Sequence, residues 1–508
     1  MPLNIALRPH QERAIDLLRQ SMRTGHRRPI LQAPCGFGKT LVAAFVVDSM
    51  RSRGMTVAFG CPGIGLIDQT VERFAQYGIP MDDMGVIQAN HPLTRGYAPI
   101  QICTAQTLAR RTLPLVDALI VDEAHIRHQA YEDWLDLPEI DRRPKWVIGL
   151  SATPWAKGLG LVYDDLLKPT STAELIEQGY LSPFKVYAPS MPDLSGVKTL
   201  AGDYNEGQLG KVMSGPKLVA DVIDTWLRMG RSIGKTLCFA VNREHAKLLH
   251  DRFEDVGVRT AYVDAFTPRE ERDEIGRRLG AGEIEVVCNI GCLTTGIDWD
   301  VRCLILARPT KSEILFVQII GRALRTADGK DHALILDHTG THHQLGMVTD
   351  IDHDELDMGR KETRAERELK DETPKPRECH ACGCLVPPLS NECPACGTAR
   401  KPISPIEEVE GELVELGNGK RAKVGKVIDV LRAMPRQEIY SGLIWIAHLK
   451  GRSEKWAAHG YREIYGTWPN RQLPESREPD PLLRSWVKSR DIAYAKAKRR
   501  EQELSGGI

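Results

Sequence analysis

The sequence has no excess of charge of either sign and no long hydrophobic run. Its 508 residues include 68 basic and 68 acidic side chains, so the formal net charge is zero. This balance excludes a polycation that binds nucleic acid by overall attraction, and such a partner would need a locally basic groove. No apolar run reaches the roughly 18 residues of a membrane helix, and the first residues, MPLNIALRPH, lack the charged and then apolar pattern of a signal sequence. We therefore expect a protein that is neither secreted nor inserted in a membrane.

The twelve cysteines do not have the spacing of a disulfide framework. Seven are dispersed along the chain, whereas five lie between Cys379 and Cys396. Dispersed cysteines together with one tight cluster indicate a reducing compartment and a metal site. Hydrophobic residues make up 42% of the chain, which is enough for about three globular domains with sizeable cores.

Short apolar runs alternate with longer amphipathic stretches in the first third of the chain, and the alternation returns in the middle third. This pattern favours an α/β fold with two tandem lobes, each a parallel sheet wrapped by helices, with functional loops at the carboxyl ends of the strands. A charge-rich linker, a cysteine module and a basic, mainly helical region follow. The predicted domains are a first lobe at 1–170, a second lobe at 171–348, a charged linker helix at 349–376, a zinc-binding module at 377–400 and a helical basic C-terminal domain at 401–508.

A glycine-rich segment follows the apolar run ILQ and opens a helical stretch. Glycines let backbone N–H groups converge on phosphate oxygens, and the helix N-terminus adds the positive end of its dipole. Lys39 would then reach the β and γ phosphates, and Thr40 would bind Mg²⁺. The strict pattern has Gly where Ala33 stands, so an ordinary strand-to-helix turn is the alternative. The predicted phosphate loop consists of Pro34, Cys35, Gly36, Phe37, Gly38, Lys39 and Thr40.

Two adjacent carboxylates, Asp122 and Glu123, follow the apolar run Ala-Leu-Ile-Val. At the end of a strand, Asp122 would bind Mg²⁺, and Glu123 would orient and deprotonate an attacking water. A charged turn is the alternative, and the phosphate loop some eighty residues earlier argues against it. Together these two segments predict a site for ATP and Mg²⁺.

Two arginines, Arg322 and Arg325, lie three residues apart in the run QIIGRALR. On one helix face both can point at a single γ-phosphate, so they are candidate arginine fingers supplied by the second lobe. Hydrolysis would then require the cleft to close. A pair of surface arginines is the alternative.

Two Cys-x-x-Cys pairs, each followed by glycine, lie ten residues apart. Cys379, Cys382, Cys393 and Cys396 would supply four thiolates to a tetrahedral, structural Zn²⁺. A redox-active pair is the alternative. Cys384 and His380 are surplus candidate ligands, and the spacing alone does not exclude them.

The phosphate loop, the Asp-Glu-Ala-His run and Ser151-Ala-Thr-Pro154 together resemble helicase superfamily 2, which implies that the two lobes are RecA-like. The run QIIGRALR and the cysteine module after it resemble RadD-type bacterial and phage DNA helicases. This resemblance implies a DNA substrate and a cytoplasmic location, in a bacterial cell or a phage-infected host.

The same resemblance implies further functional residues. Gln11, with Arg8, is similar to the glutamine motif that reads adenine, and Gly296, Asp298 and the catalytic-motif residue Gln318 complete the ATP site. Residues implied to couple hydrolysis to lobe movement are His125, Ser151 and Thr153. Residues implied to contact nucleic acid, each with a turn or cap role as the alternative, are Gly63, Thr104, Gln106, Arg243 and Thr294.

The sequence therefore predicts an ATP- and Mg²⁺-dependent DNA helicase or translocase with a structural Zn²⁺. Its expected partners are single-stranded, forked or duplex DNA and a single-stranded-DNA-binding or recombination protein, and its expected setting is DNA repair, recombination or phage DNA metabolism. Three alternatives stay open: a duplex translocase or remodeller without strand separation, an RNA helicase, and a zinc-bearing DNA-binding adaptor whose ATPase core is only a switch.

Overall fold

The structure is a computed structural model that describes residues 5–88, 90–200, 202–294, 298–360, 374–399, 427–470, 475–488 and 490–491. The chain divides into two compact units, Met1–Ile403 and Ser404–Ile508. The first unit contains two parallel sheets and the cysteine module, and the second is helical where it is described. The predicted fold class is thereby confirmed.

The first lobe is built on a seven-stranded parallel sheet in the order β3-β4-β2-β5-β6-β1-β7. The strands are short apolar runs buried on both faces, as in a sheet that helices cover on both sides. Its strands are β1 (Pro29–Gln32), β2 (Val57–Cys61), β3 (Met84–Val86), β4 (Ile100–Thr104), β5 (Ala118–Asp122), β6 (Trp146–Ser151) and β7 (Asp165–Leu167). Its helices are α1 (Pro9–Arg23), α2 (Lys39–Arg51), α3 (Ile67–Tyr77), α4 (Ala105–Leu108) and α5 (Gln129–Leu135), with 3-10 turns at Ile64–Leu66, Met81–Asp83, Ile140–Arg142 and Leu159–Leu161.

The second lobe is built on a six-stranded parallel sheet in the order β12-β13-β11-β14-β15-β8. Its strands are β8 (Phe184–Tyr187), β11 (Thr236–Phe239), β12 (Thr260–Val263), β13 (Val286–Asn289), β14 (Cys303–Leu306) and β15 (Ala333–Asp337), and a hairpin of β9 (Thr199–Leu200) and β10 (Asp203–Tyr204) precedes β11. The helices are α6 (Thr172–Glu177), α7 (Glu206–Met213), α8 (Pro216–Thr225), a π-helical turn at Trp226–Gly230, α9 (Arg243–Asp255), α10 (Arg269–Gly280), α11 (Glu313–Ala323) and α12 (Thr341–Leu345).

The segment after the second sheet returns to the first lobe. The Lys168 ammonium lies 2.8 Å from an Asp352 carboxylate oxygen and 2.7 Å from one of Asp354, and the Gly158 N–H donates to Asp357 at 3.0 Å. Residues 349–360 contain no helix. Most of the predicted linker helix, 361–373, lies outside the described residues, so that helix stays a prediction.

The cysteine module forms a short antiparallel hairpin of β16 (Arg377–Glu378) and β17 (Leu385–Val386). A β-bridge between Tyr187 and Cys384 attaches it to the edge strand β8 of the second lobe. The module is thus part of the first unit.

The second unit contains three labelled helices, α13 (Val427–Ala433), α14 (Arg436–Leu449) and α15 (Glu454–Tyr465), and helical residues at 481–488. Leu431, Leu443 and Ile464 are fully buried in its own small core. None of the helices among the described residues is both long and apolar enough to cross a membrane.

The Trp226 side chain anchors the core on one face of the second sheet. It is fully buried, its indole N–H donates to the Thr236 hydroxyl at 2.8 Å, and its ring meets that of Phe253 edge-on at 5.3 Å. We expect Trp226→Ala to lower the free energy of unfolding of this lobe by about 3–5 kcal/mol, because the cavity cannot be refilled. Urea unfolding measures the change. Leu200→Ala, at a side chain that is 67% exposed, should change it by less than about 0.5 kcal/mol, and equal effects of the two variants would contradict this account.

Candidate active site and metal centre

A cavity of about 570 Å³ lies between the two lobes. Loops at the carboxyl ends of the first-lobe strands form one wall, and α11 with the loop before β14 forms the other. The predicted residues that line it are Arg8, Gln11, Pro34, Cys35, Gly36, Phe37, Gly38, Lys39, Thr40, Asp122, Glu123, Thr294, Asp298, Gln318, Arg322 and Arg325. Gly296 lies outside the described residues.

The predicted phosphate loop connects β1 to the N-terminus of α2. Gly36 and Gly38 have φ values of +82° and +89°, a region that favours glycine. A Cβ on Gly38 would lie 2.4 Å from the Gln11 side-chain nitrogen. No side chain caps α2, so the N–H groups of its first turn are available to an anion. The loop is therefore shaped to hold phosphate.

The Gln11 side chain, on α1, forms a hydrogen bond with the backbone of this loop. Its Oε1 accepts from the Arg8 N–H at 2.9 Å, and its Nε2 donates to the Phe37 carbonyl at 2.9 Å. The side chain borders the cavity although the residue is only 2% exposed. Its structural contact is thus with the loop backbone, and its reading of adenine stays a prediction.

Lys39 and the two carboxylates at the end of β5 form a partly buried charge cluster. The Lys39 Nζ lies 2.5 Å from Glu123 Oε1 and 3.7 Å from Asp122 Oδ1. Burial lowers the pKa of Lys39, but the two carboxylates more than offset this, and the pKa ends above its usual value. Burial raises the pKa of Asp122. For Glu123, burial also acts to raise the pKa, but the charge of Lys39 outweighs it and keeps this carboxylate ionised.

Glu123 is held in an unusual backbone conformation at the end of β5. Its φ is +49°, which is uncommon for a residue with a side chain. Its Oε2 is buried and accepts no hydrogen bond, and it lies 3.4 Å from His125 Nδ1. A buried carboxylate oxygen without a donor fits a group that is to receive a proton from water. With Thr40 and Asp122 at the same cavity, the oxygen-rich donor set suits Mg²⁺.

His125 connects the two lobes through hydrogen bonds. Its Nδ1 lies 2.9 Å from the Ser151 hydroxyl, which also accepts from the Thr153 N–H at 3.0 Å. Its Nε2 lies 3.0 Å from Gln318 Nε2 on α11. Burial lowers the pKa of His125 to about 4, so the neutral imidazole accepts from the Gln318 amide. The three predicted coupling residues, His125, Ser151 and Thr153, are thus in one chain of contacts.

Both candidate arginine fingers face the cavity from the end of α11. Arg322 is 8% exposed, and its charge contributes to lowering the pKa of Glu123. The Arg325 guanidinium donates to Asp298 at 2.5 Å, and burial lowers its pKa. A Cβ on Gly321 would lie 2.4 Å from Cys35 Sγ. Glycine at this position therefore lets α11 approach the phosphate loop.

The residues predicted to contact nucleic acid are in different settings. Thr104 is 1% exposed and accepts from the Thr107 N–H as the cap of α4, which was its alternative role. The Arg243 guanidinium pairs with Asp264 at 2.7 Å. Thr294 lines the cavity and its hydroxyl donates to the Gly291 carbonyl.

Gln106 is exposed, and Gly63 has extended backbone with open space where a Cβ would point. The contacts of these five residues with nucleic acid stay predictions.

Among the cavity residues that were not predicted from the sequence are Arg73, Tyr77 and Tyr180. Arg73 and Tyr77 are four residues apart on α3, so their shared face could have been read from helical spacing. Tyr180 lies in the connection between the lobes, where the Arg8 guanidinium sits 4.9 Å from its ring centre. Nothing in the local sequence marks it.

The four predicted zinc ligands converge in the cysteine module. The Sγ atoms of Cys379, Cys382, Cys393 and Cys396 all lie within 4.8 Å of one another. Two of the separations are 3.7 Å, for Cys379 to Cys396, and 3.6 Å, for Cys382 to Cys393. Zn–S bonds of about 2.3 Å in a tetrahedron place sulfurs about 3.8 Å apart. The thiolate cage therefore fits Zn²⁺.

Neither surplus candidate belongs to this group of four. Cys384 is fully buried, and its Sγ lies 3.7 Å from the Leu385 carbonyl, whereas His380 is exposed. Gly383 and Gly397 have φ values of +73° and +68°, so each supplies the tight turn after its Cys-x-x-Cys pair. Two glycine turns thus aim four sulfurs at one point.

Two family models match the two lobes. The model described as "Type III restriction enzyme, res subunit" matches residues 4–156, and the model described as "Helicase conserved C-terminal domain" matches residues 217–327. The chain therefore contains both of these domains, one in each lobe, which is consistent with a superfamily 2 helicase.

Similar proteins come from a yeast and a phage. The Saccharomyces cerevisiae protein described as "Putative ATP-dependent helicase IRC3" is 30% identical over 363 residues, which are 68% of this chain and 52% of that protein. A "51.5 kDa protein" of a Lactococcus phage is 28% identical over 329 residues, which are 64% of this chain and 68% of that one. The chain thus spans about half the length of the yeast relative.

Among solved structures, the fold is similar to a fragment described as a "putative HsdR subunit of a type I restriction enzyme" from Vibrio vulnificus. That match has a TM-score of 0.54 at 22% identity and covers 71% of this chain and 68% of that one. It shows the fold of the two lobes. The relatives' names include the words ATP-dependent helicase, consistent with the cavity described above.

The cysteine cage predicts a metal content. We expect the purified protein to hold zinc at one site, and Cys393→Ser to lose most of it, because three thiolates no longer close a tetrahedron. Metal analysis after gel filtration in reducing buffer measures this. The matched control, Cys384→Ser, should keep the full zinc content, and zinc retained by Cys393→Ser or lost from the control would contradict the assignment.

Proposed function

We propose that the protein hydrolyses ATP in the cleft between its two lobes and uses the cycle to move along DNA. One observation carries this proposal: a single cavity contains the phosphate loop and carboxylates of one lobe and the arginines of the other. In such a site hydrolysis depends on how the lobes meet. A protein that only bound nucleotide would not need the two arginines of the second lobe.

The residues of the chain have separate tasks in this reaction. Backbone N–H groups at the N-terminus of α2 hold the phosphates, and Lys39 leaves Glu123 for the β and γ phosphates when they arrive. Mg²⁺, held by Thr40 and Asp122, would neutralise phosphate charge. Glu123 then orients the attacking water and takes its proton at Oε2.

Arg322 and Arg325 supply positive charge from the second lobe as negative charge develops on the γ-phosphate. Because Arg322 is on α11 and Arg325 is in the turn that follows it, their effect depends on the distance between the lobes. The hydrogen bond from Gln318 to His125 links the loop that contains Asp122 and Glu123 to α11. A movement of this loop on hydrolysis would therefore also move the helix. Release of phosphate would therefore loosen the cleft, and repeated closure would move one lobe relative to the other along a strand.

DNA is the proposed substrate. The family model of the first lobe takes its description from a restriction enzyme, a class of enzyme that acts on DNA. The Asp-Glu-Ala-His run and the run QIIGRALR also favour a DNA helicase over an RNA helicase. The zinc module and the basic C-terminal region would extend the contact with the strand.

The proposed compartment is reducing. None of the twelve cysteines, all of which are described, forms a disulfide, and most of them are buried. Cys238 and Cys288 lie opposite each other on β11 and β13 without a disulfide. This usage is typical of cytoplasmic proteins.

The charge cluster predicts distinct effects of two variants on ATP turnover. We expect Glu123→Gln to bind ATP but to lose at least about 100-fold in kcat, since the general base is gone. Lys39→Ala should lose both nucleotide binding and turnover, because it removes the charge that meets the phosphates. Binding of a fluorescent ATP analogue and phosphate release, with DNA present, measure the two steps.

Matched exposed residues provide the controls for these variants. Glu139→Gln and Lys145→Ala change the same residue types on the surface of the first lobe and should leave both steps unchanged. Full turnover by Glu123→Gln or Lys39→Ala would overturn the proposed mechanism.

The proposed DNA substrate predicts which nucleic acids stimulate ATP hydrolysis. We expect DNA to stimulate the wild-type ATPase more than RNA of the same length, with stimulation that weakens as salt rises. Phosphate release measured with single-stranded, duplex and forked DNA and with RNA, at stated salt, tests this. Stronger stimulation by RNA would contradict the choice of substrate. A strand-displacement assay on forked DNA separates unwinding from movement on duplex.

A further inference from the structure

Lys330 lies in the loop between α11 and β15, and its ammonium contacts three backbone carbonyls. The distances from its Nζ are 2.7 Å to Val301 O, 2.5 Å to Ala323 O and 2.6 Å to Arg325 O. An ammonium has three N–H donors, so these acceptors use all of them. Among the described residues, no carboxylate lies within ion-pairing distance of Lys330. This lysine therefore binds the backbone rather than an acid.

One of the three carbonyls is that of Ala323, the last residue of α11, and another is that of Arg325, two residues beyond the helix. The last carbonyls of a helix have no donor within the helix, so they need partners from elsewhere. Lys330 supplies them for Ala323 and Arg325. From the opposite side, the Ser182 N–H donates to Leu324 at 2.7 Å, and the Ser182 hydroxyl donates to Arg325 at 3.2 Å. The turn that carries Arg325 is thereby held from two directions.

The third carbonyl connects this turn to the segment that carries Asp298. Val301 follows Asp298 and precedes β14, and the Asp298 carboxylate accepts from the Arg325 guanidinium at 2.5 Å. The Lys330 loop is itself fixed, because the Arg302 guanidinium donates to the carbonyls of Asp328 at 2.7 Å and Gly329 at 2.9 Å. A rigid loop thus presents the Lys330 ammonium to both segments.

We infer that Lys330 is a positioning residue that fixes the backbone of Arg325 and so places its guanidinium at the phosphate end of the cleft. This inference rests on the proposed ATP hydrolysis. Lys330 does not line the cavity itself, so it acts only through Arg325. A displacement of about 1 Å in a catalytic group can cost about 100-fold in rate.

The test uses Lys330→Met in the full chain, which keeps the length of the side chain and removes its donors. We expect kcat for DNA-stimulated ATP hydrolysis to fall by about 10- to 100-fold, with KM for ATP changed by less than about threefold. The double variant Lys330→Met with Arg325→Ala should be within about twofold of Arg325→Ala alone, because both changes act on one group. Losses that multiply, or an unchanged kcat in Lys330→Met, would overturn the inference.

Lys235→Met is the matched control. The Lys235 ammonium lies in the same corner of the lobe, but it pairs with the Asp300 carboxylate at 2.7 Å. Its removal should change kcat by less than about twofold. A large loss of kcat in this control as well would mean that removing either lysine of this corner lowers activity, and it would overturn the specific role of Lys330.

Hydrogen–deuterium exchange separates this inference from the proposed function. Without ATP, Lys330→Met should exchange amides of residues 320–328 faster than wild type, with the rest of the second sheet unchanged. If the wild type hydrolyses no ATP but this local change is seen, the proposed function fails and the positioning of the Arg325 backbone stands. If exchange at 320–328 is unchanged, the inference fails whatever the activity.

Discussion

The burial of opposite charges at one point is the constraint on which the cleft depends. The side chains of Lys39, Asp122 and Glu123 are only 14–25% exposed and Arg322 is 8% exposed, and an unpaired charge in such a place is costly. Lys39 is satisfied by the two carboxylates, and Glu123 is also stabilised by the charge of Arg322. Since Arg322 comes from the second lobe, the electrostatic balance of the site depends on the approach of α11. A glycine at position 321 makes that approach possible.

The parallel sheet explains why these groups meet although they are far apart in sequence. Parallel strands end at a common edge, and in the first sheet Gln32 lies opposite Ser151 while Asp122 lies opposite Leu150. The phosphate loop, the carboxylates and Ser151 therefore emerge side by side. The left-handed conformation of Glu123 turns its side chain toward Lys39 at the point where the strand ends. The position of each chemical group thus follows from the order of strands.

Much of this site could be predicted because its chemistry is encoded in short consecutive segments. A phosphate loop, a strand that ends in two acids and paired cysteines each specify local geometry. Tyr180 and Lys330 could not be found in this way, since their roles arise only from contacts across the fold. The spacing of the cysteines left Cys384 open as a ligand, and only the convergence of four other sulfurs decides against it. Thr104 fits a family motif, but its hydroxyl is used as a helix cap.

A hydrogen bond connects the two lobes at α11, in addition to the charge of Arg322. Because burial keeps the pKa of His125 near 4, its imidazole is neutral in ordinary buffers and can accept from Gln318. A protonated ring could not accept from the Gln318 amide N–H, so this form of the contact depends on the neutral imidazole. At its C-terminal end α11 and the turn after it are held by carbonyl contacts to Lys330 and Ser182. The helix is therefore held at its middle and at its C-terminal end by directional bonds, which fix the positions of Arg322 and Arg325 relative to the cleft.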